Sequence, residues 1–161
     1  MSALGPKVRV LAATLVISAA GLAGIKRDEG DVRKVYLDPV GIPTVCVGHT
    51  ATVTHKDVGK TYSAETCTYL LKQDTRQAVA AVQRLVKAPL TQQQFDALVS
   101  FTFNVGVANF QSSTLLKQFN AGQCHAAADQ FQRWNKARGK VLRGLTIRRA
   151  HEAAALREDC P

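Results

Sequence analysis

Glu29, Asp38 and Thr44 stand in the chain at the spacing E-x8-D-x5-T. Cleavage of a glycosidic bond commonly uses one protonated carboxylic acid, which loads the leaving oxygen, and one ionised carboxylate, which stabilises positive charge or activates water. A glutamate beside an apolar run and an aspartate in a polar turn are the contrasting environments that this division of labour requires. Two carboxylates nine residues apart are common by chance, so the pair alone does not fix a reaction.

The elements around these residues are legible from pattern. From Val35 to Gly48 closely spaced apolar residues are interrupted by "DPVGIP", with Asp38, Pro39, Gly41 and Pro43 as turn formers, which predicts a small β-hairpin region. Beyond it the period becomes helical. Ser63 can cap a helix in which Leu71, Ala78, Val82 and Leu85 recur until Pro89. Thr91 with Gln94 forms a capping box that opens a second helix through Phe95, Leu98, Val99 and Thr102. Further helices are expected over Ser113 to Asn120, Cys124 to Trp134 and Thr146 to Glu158. The fold class is α+β, mainly helical, with one small sheet near its start.

At 161 residues the chain suffices for one compact domain with an N-terminal appendage. The formal charge of +9 implies an anionic partner: nucleic acid, anionic lipid or a phosphate-rich cell envelope. No block of like charges or exposed basic and aromatic interleaving points to nucleic acid. Arg143, Arg148 and Arg149 with Lys136, Arg138 and Lys140 form a basic region near the C-terminus, either a polyanion contact or a solvated helix face. Cys46, Cys67, Cys124 and Cys160 lack C-x-x-C pairing and neighbouring histidines, so no metal site is expected. Their even count fits two disulfides with three possible pairings, and the nearest-neighbour scheme joins Cys46 to Cys67 and Cys124 to Cys160. Disulfides would require an oxidising compartment.

Val10 to Ile25 is sixteen residues without a charge, preceded by Lys7 and Arg9 and followed by Lys26 and Arg27. A spanning helix needs about 20 apolar residues, with a lower limit near 17. The segment fits a cleaved signal peptide, a membrane anchor or a buried helix of the domain.

With these residues in view, the chain resembles the phage-type lysozymes, the endolysins of glycoside hydrolase family 24. Glu29-Gly30, Tyr36, Asp38, Thr44 and the "GHT" of Gly48 to Thr50 fall where that family's E-G…Y-x-D…T…G-H pattern puts them. "SFTFNVG" at Ser100 to Gly106, "NFQSSTLL" at Asn109 to Leu116, "RWNKARGK" at Arg133 to Lys140 and "GLTIRRAHE" at Gly144 to Glu152 extend the likeness from about Ala20 onward. Arg33 lies one position later than the family's arginine, and Asp31 stands where an apolar residue is usual.

The resemblance implies a lysozyme-like fold, with a small β-sheet lobe and a larger helical lobe. It implies hydrolysis of the β-1,4 bond between N-acetylmuramic acid and N-acetylglucosamine in peptidoglycan, and lysis of the host cell. Glu29 would be the general acid, Asp38 the carboxylate that handles the nucleophilic water, and Thr44 the residue that positions it. Phe103, Ser113 and Asn135 match positions of the family's saccharide groove, although they could equally be a core residue, a helix cap and a loop residue. His49 is expected to be structural, Trp134 a core anchor, and His55, His125 and His151 surface residues. No cofactor, metal or nucleic acid is expected, and a monomer is. A lytic transglycosylase, or a non-catalytic basic membrane-tethered wall-binding protein, are the alternatives.

The likeness extends to signal-arrest-release endolysins, whose weakly hydrophobic first segment parks in the inner membrane and later escapes to the periplasm. Residues 1–25 would form that segment, its end merging into the first domain helix, and 26–161 the catalytic domain. The transient membrane association would run through residues 10–25. Glu29 lies four residues past Ile25, within about 14 Å of the hydrocarbon edge even if the link is fully extended.

Overall fold

The computed structural model describes residues 7–161, so the first six residues of the expected N-terminal segment lie outside it. The chain divides into two compact units, Leu22–Arg76 and a larger one that joins the residues up to Gly21 to Gln77–Pro161. The boundary passes through helix α1 (Ala19–Glu29).

In the smaller unit α1 is followed by an antiparallel hairpin, β1 (Val32–Leu37) and β2 (Pro43–Cys46). The hairpin begins three residues earlier than the apolar pattern predicts, because only Val35 of β1 is buried and the strand carries little hydrophobic signal. Leu37 pairs with Pro43 and Tyr36 with Thr44; an irregularity then shifts the register to Val32 opposite Cys46. α2 (Ala64–Asp74) starts at Ser63, whose hydroxyl accepts from the Thr66 amide at 3.1 Å. Val35, Val45, Cys46, Val53, Cys67 and Leu70 form the core of the unit, with Tyr62 packed on it. The Cys46–Cys67 disulfide crosses that core and ties β2 to α2. Cys46 adopts φ +58°.

The single helix expected from the Ser63 cap until Pro89 is two, α2 and α3 (Arg76–Leu85). Thr75 separates them: its hydroxyl donates to the Lys72 carbonyl at 3.2 Å, a local bond that competes with continuation of the helix.

The larger unit is built on α4 (Gln92–Val105), opened by the predicted Thr91/Gln94 capping box. After it come α5 (Val107–Gln111), α6 (Thr114–Asn120) and α7 (Cys124–Gln130). The helix predicted to run on to Trp134 gives way at Phe131 to a 3-10 turn, Phe131–Trp134. A two-stranded ribbon, β3 (Lys136–Ala137) and β4 (Lys140–Val141), precedes α8 (Arg143–Glu158). The ribbon was not expected. Its two turn residues, Arg138 and Gly139, both have positive φ, the conformation of the tight hairpin turn whose usual signal is Asn-Gly or Asp-Gly.

Phe101 on α4 is the hub of the core. It meets the rings of Phe110, Phe131 and Trp134 edge-on, at 6.3, 5.1 and 5.6 Å between centroids. Trp134 is only half-buried, so it anchors the core from its margin. The second disulfide, Cys124–Cys160, joins the start of α7 to the C-terminal tail.

Residues 7–18 form a strap on this unit rather than one apolar helix. Val10 bridges Leu90 with paired backbone hydrogen bonds of 3.0 Å, and a 3-10 turn covers Ala12–Thr14. Gln83 donates to the Leu15 carbonyl at 2.7 Å, Gln92 to the Val16 carbonyl at 2.8 Å, and the Ser18 amide donates to Asp96 at 3.0 Å. Gly21 permits this approach: a Cβ there would come within 2.7 Å of the Asp96 carboxyl carbon. Lys7 is paired with Glu158 and Asp159. Among the described residues no helix is long and apolar enough to cross a membrane.

Arg148 and Arg149 correct the expectation of a basic C-terminal surface, since both are buried. Arg149 Nε lies 2.7 Å and Arg148 Nε 3.3 Å from the carboxylate of Glu152, which is buried too. The Ser100 hydroxyl donates to the same carboxylate at 2.7 Å, and the Arg149 guanidinium stacks over Phe101 at 5.0 Å. The two arginines are three and four residues from Glu152, so one helical face presents both to one carboxylate. Lys136, Arg138, Lys140 and Arg143 are exposed.

Candidate active site

Glu29 is the last residue of α1 and is exposed. Gly30 ends the helix with φ +85° and donates to the Lys26 carbonyl at 2.8 Å, a glycine stop that lets the chain turn at once into β1. Asp31, the departure from the family pattern, pairs with Lys26 at 3.7 Å.

Asp38 opens the turn between the strands. Its amide donates to the Ile42 carbonyl at 3.0 Å, and its own carbonyl accepts from Gly41 at 2.9 Å. Its side chain folds back over the turn: Oδ1 accepts from the amides of Val40 at 2.9 Å and Ile42 at 2.8 Å. Such an aspartate loop is a local device, encoded within five residues, and Gly41 at φ +82° closes it. Thr44 is buried at the start of β2, and its hydroxyl donates to the Ile42 carbonyl at 3.0 Å. Asp38 and Thr44 are therefore joined through one residue, and both lie in the same unit as Glu29.

His49 is structural. Its Nδ1 lies 2.8 Å from Asp74 and its Nε2 2.8 Å from the Thr52 hydroxyl, while its backbone pairs with Val45. This buried imidazole clamps the loop after β2 to the end of α2. His55, His125 and His151 are exposed.

The three groove candidates belong to the larger unit. Phe103 is half-buried on the last turns of α4. Ser113 is a buried cap: its hydroxyl accepts from Leu116 N at 3.1 Å and donates to the Phe110 carbonyl at 2.7 Å. Asn135 ends the 3-10 turn, its amide 3.4 Å from the Thr146 hydroxyl. Among the described residues, the one cluster of metal-ligand types is Asp31 with Cys46 and Cys67. Its sulfurs are joined in the disulfide and are not thiolates able to ligate.

A family model described as phage lysozyme matches residues 26–152, a span that holds Glu29, Asp38 and Thr44. The chain belongs to the phage lysozyme family. Among its relatives is the endolysin of Salmonella phage P22, 45% identical over 140 residues, which cover 86% of this chain and 95% of that one. The SAR-endolysin of Escherichia phage Mu is 37% identical over 163 residues, covering 96% of this chain and 93% of the relative. Of solved structures, a variant of P22 lysozyme superposes with a TM-score of 0.81 and 42% identity, covering 89% of this chain and 99% of that one. The muramidase domain of SpmX from Asticaccaulis excentricus gives 0.78 and 38%, covering 88% and 97%. The chain has the mainly helical fold with small two-stranded sheets that its sequence predicts.

Proposed function

We propose that this protein is an endolysin that hydrolyses the β-1,4 bond between N-acetylmuramic acid and N-acetylglucosamine of peptidoglycan and so lyses the host cell. The observation that carries the reading is the turn in which Asp38, its Oδ1 held by two amides, is linked through Ile42 to the buried Thr44, nine and fifteen residues after Glu29. Glu29 donates its proton to the glycosidic oxygen as the bond from C1 to that oxygen breaks. Water attacks C1 from the opposite face, Asp38 takes a proton from it, and Thr44 orients it. One water is added, and the proton gained by Asp38 returns through solvent to Glu29. With water as nucleophile the anomeric centre inverts, which calls for carboxyl groups about 6.5–9.5 Å apart. Phe103 and Asn135 would contact the glycan; the hydroxyl of Ser113 already serves its helix cap.

The segment from Val10 to Ile25 would hold the newly exported chain at the inner membrane before its release into the periplasm. SAR-endolysin relatives that align with nearly the whole chain support this reading, as do two disulfides, which fit an oxidising compartment.

Clearing of outer-membrane-permeabilised Gram-negative cells tests the activity. Wild type is expected to clear them and Glu29→Gln to fail; lysis by the variant would overturn the role of Glu29. Mass spectrometry of the released fragments is expected to find reducing ends rather than the 1,6-anhydro ends of a lytic transglycosylase.

A further inference from the structure

We propose that the main chain of Ile42 is the positioning element of the hydrolytic half-site, holding Asp38 and Thr44 as one unit and dictating which Asp38 oxygen meets the attacking water and that the Thr44 hydroxyl meets it as an acceptor. The inference rests on the reading of Asp38 and Thr44 given above.

Ile42 holds both residues with backbone groups alone. Its N–H donates to Asp38 Oδ1 at 2.8 Å. Its carbonyl accepts from the Asp38 amide and the Thr44 hydroxyl, both at 3.0 Å. The Val40 amide adds a second donor to Oδ1 at 2.9 Å. The side chain of Ile42 is about half exposed and takes no part.

The consequences follow from counting protons. A carboxylate oxygen has about two lone-pair sites, and on Oδ1 two amides fill them, so Oδ2 is the oxygen that takes a proton from water. A threonine hydroxyl has a single proton, and Thr44 gives it to the Ile42 carbonyl, so toward water it can only accept. Water placed between them must direct one hydrogen to Asp38 Oδ2 and the other to Thr44 Oγ1, which leaves a lone pair for the anomeric carbon. The turn thus orients the nucleophile before substrate arrives, and the pre-set geometry lowers the barrier to attack. Gly41 lets this happen: at φ +82° it aims the Ile42 N–H back at Asp38, although a Cβ there would meet no atom within 4 Å.

The decisive experiment replaces the Ile42 amide by an ester in the full, oxidised protein, by incorporating the α-hydroxy analogue of isoleucine at that position. This deletes the N–H and keeps the side chain. Steady-state kinetics on soluble, uncrosslinked glycan strands is expected to show kcat reduced about 10- to 100-fold, as for loss of a hydrogen bond to a charged group. KM should change less than about twofold and the melting temperature less than about 3 °C, a split that a merely structural role would not produce. Gly41→Ala, accessible by ordinary mutagenesis, should lower kcat in the same direction with KM unchanged. Thr44→Ser should keep kcat within about threefold of wild type, and Thr44→Val should not. Combining the ester with Thr44→Val should cost far less than the product of the two separate losses, because both act on one water. An ester enzyme with full kcat, or fully multiplicative losses, would overturn the proposal while Asp38→Asn and Thr44→Val still lowered kcat. Full activity of Asp38→Asn and Thr44→Val would overturn the reading of the site itself.

Discussion

Replacing Glu152 by glutamine tests how the larger unit is held together. Glu152 and Arg148 have side chains 3% and 4% exposed, and that of Arg149 is wholly buried. The Glu152 carboxylate gathers the guanidinium of Arg149 at 2.7 and 3.0 Å, that of Arg148 at 3.3 Å, and the Ser100 hydroxyl. Burial pushes the Glu152 carboxyl up, and the two arginines and Ser100 oppose it. Glutamine keeps the shape but leaves two buried cations without this carboxylate, a change that typically costs about 3–5 kcal/mol. For a chain of this size each kcal/mol lowers the melting temperature by about 2–4 °C, so a fall of about 6–20 °C is expected. The assay is thermal melting followed by circular dichroism at neutral pH with the disulfides oxidised. Arg157→Gln provides the control, because it breaks a pair with Asp129 in which both side chains are exposed, 45% and 70%, and should shift melting by less than about 4 °C. Glu152→Gln melting within about 3 °C of wild type, or no lower than the control, would refute the assignment of this cluster as a core element.

The remaining predictions concern the covalent and pH-sensitive fastenings. The Cys46–Cys67 and Cys124–Cys160 bridges close loops of 21 and 36 residues, worth about 3 and 4 kcal/mol in the chain-entropy model. Serine pairs at each bridge should lower guanidinium midpoints accordingly, with the larger loss at Cys124/Cys160. At Asp159 burial pushes the carboxyl up, but Lys7, Thr91 and Arg9 outweigh it and hold it below the ordinary 3.8. A lowered folded-state pKa means stability that is present above the unfolded value and lost as the pH falls through the folded one. Asp159→Asn should therefore lower the melting temperature at pH 6 by an amount that shrinks as the pH drops below 3.8. A difference that is constant across that range would show that Asp159 does not act through its charge.

Local rules carried most of what the sequence disclosed. The capping box of Thr91 and Gln94, the Ser63 cap and the Asp38 turn are each encoded within a few residues, and the structure has all three. The break at Thr75 is not legible in this way, because the apolar period continues through it and the hydroxyl's bond to Lys72 leaves no mark on that period. Arg148 and Arg149 depart from the surface expectation for a related reason. Arginine on a helix usually signals solvent, and what buries these two is a carboxylate on the next turn, beside Ser100 and Phe101 half a hundred residues away. A basic pair three and four residues before a glutamate was the available clue. Among the candidate site residues the spacing of Glu29, Asp38 and Thr44 is visible in the sequence, but the hydrogen bonds that join Asp38 and Thr44 to Ile42 are not, since they are made by its main chain and leave no trace in residue type.

The strap gives the larger unit an order of assembly. Its partners lie far along the chain: Ser18 reaches Asp96 across 78 positions, and Lys7 reaches Asp159 across 152. Synthesis delivers the strap before any of these partners, and Asp159 well after Asp96. The continuous unit Leu22–Arg76 has all its residues long before then. In the larger unit the strap can dock on Gln83, Leu90, Gln92 and Asp96 once α4 is made, whereas Lys7 and Arg9 wait for Asp159. Loss of Asp159 would therefore be felt far along the chain, by loosening Lys7 and Arg9 at the outer end of the strap while its bonds to Leu90 and Asp96 stay in place.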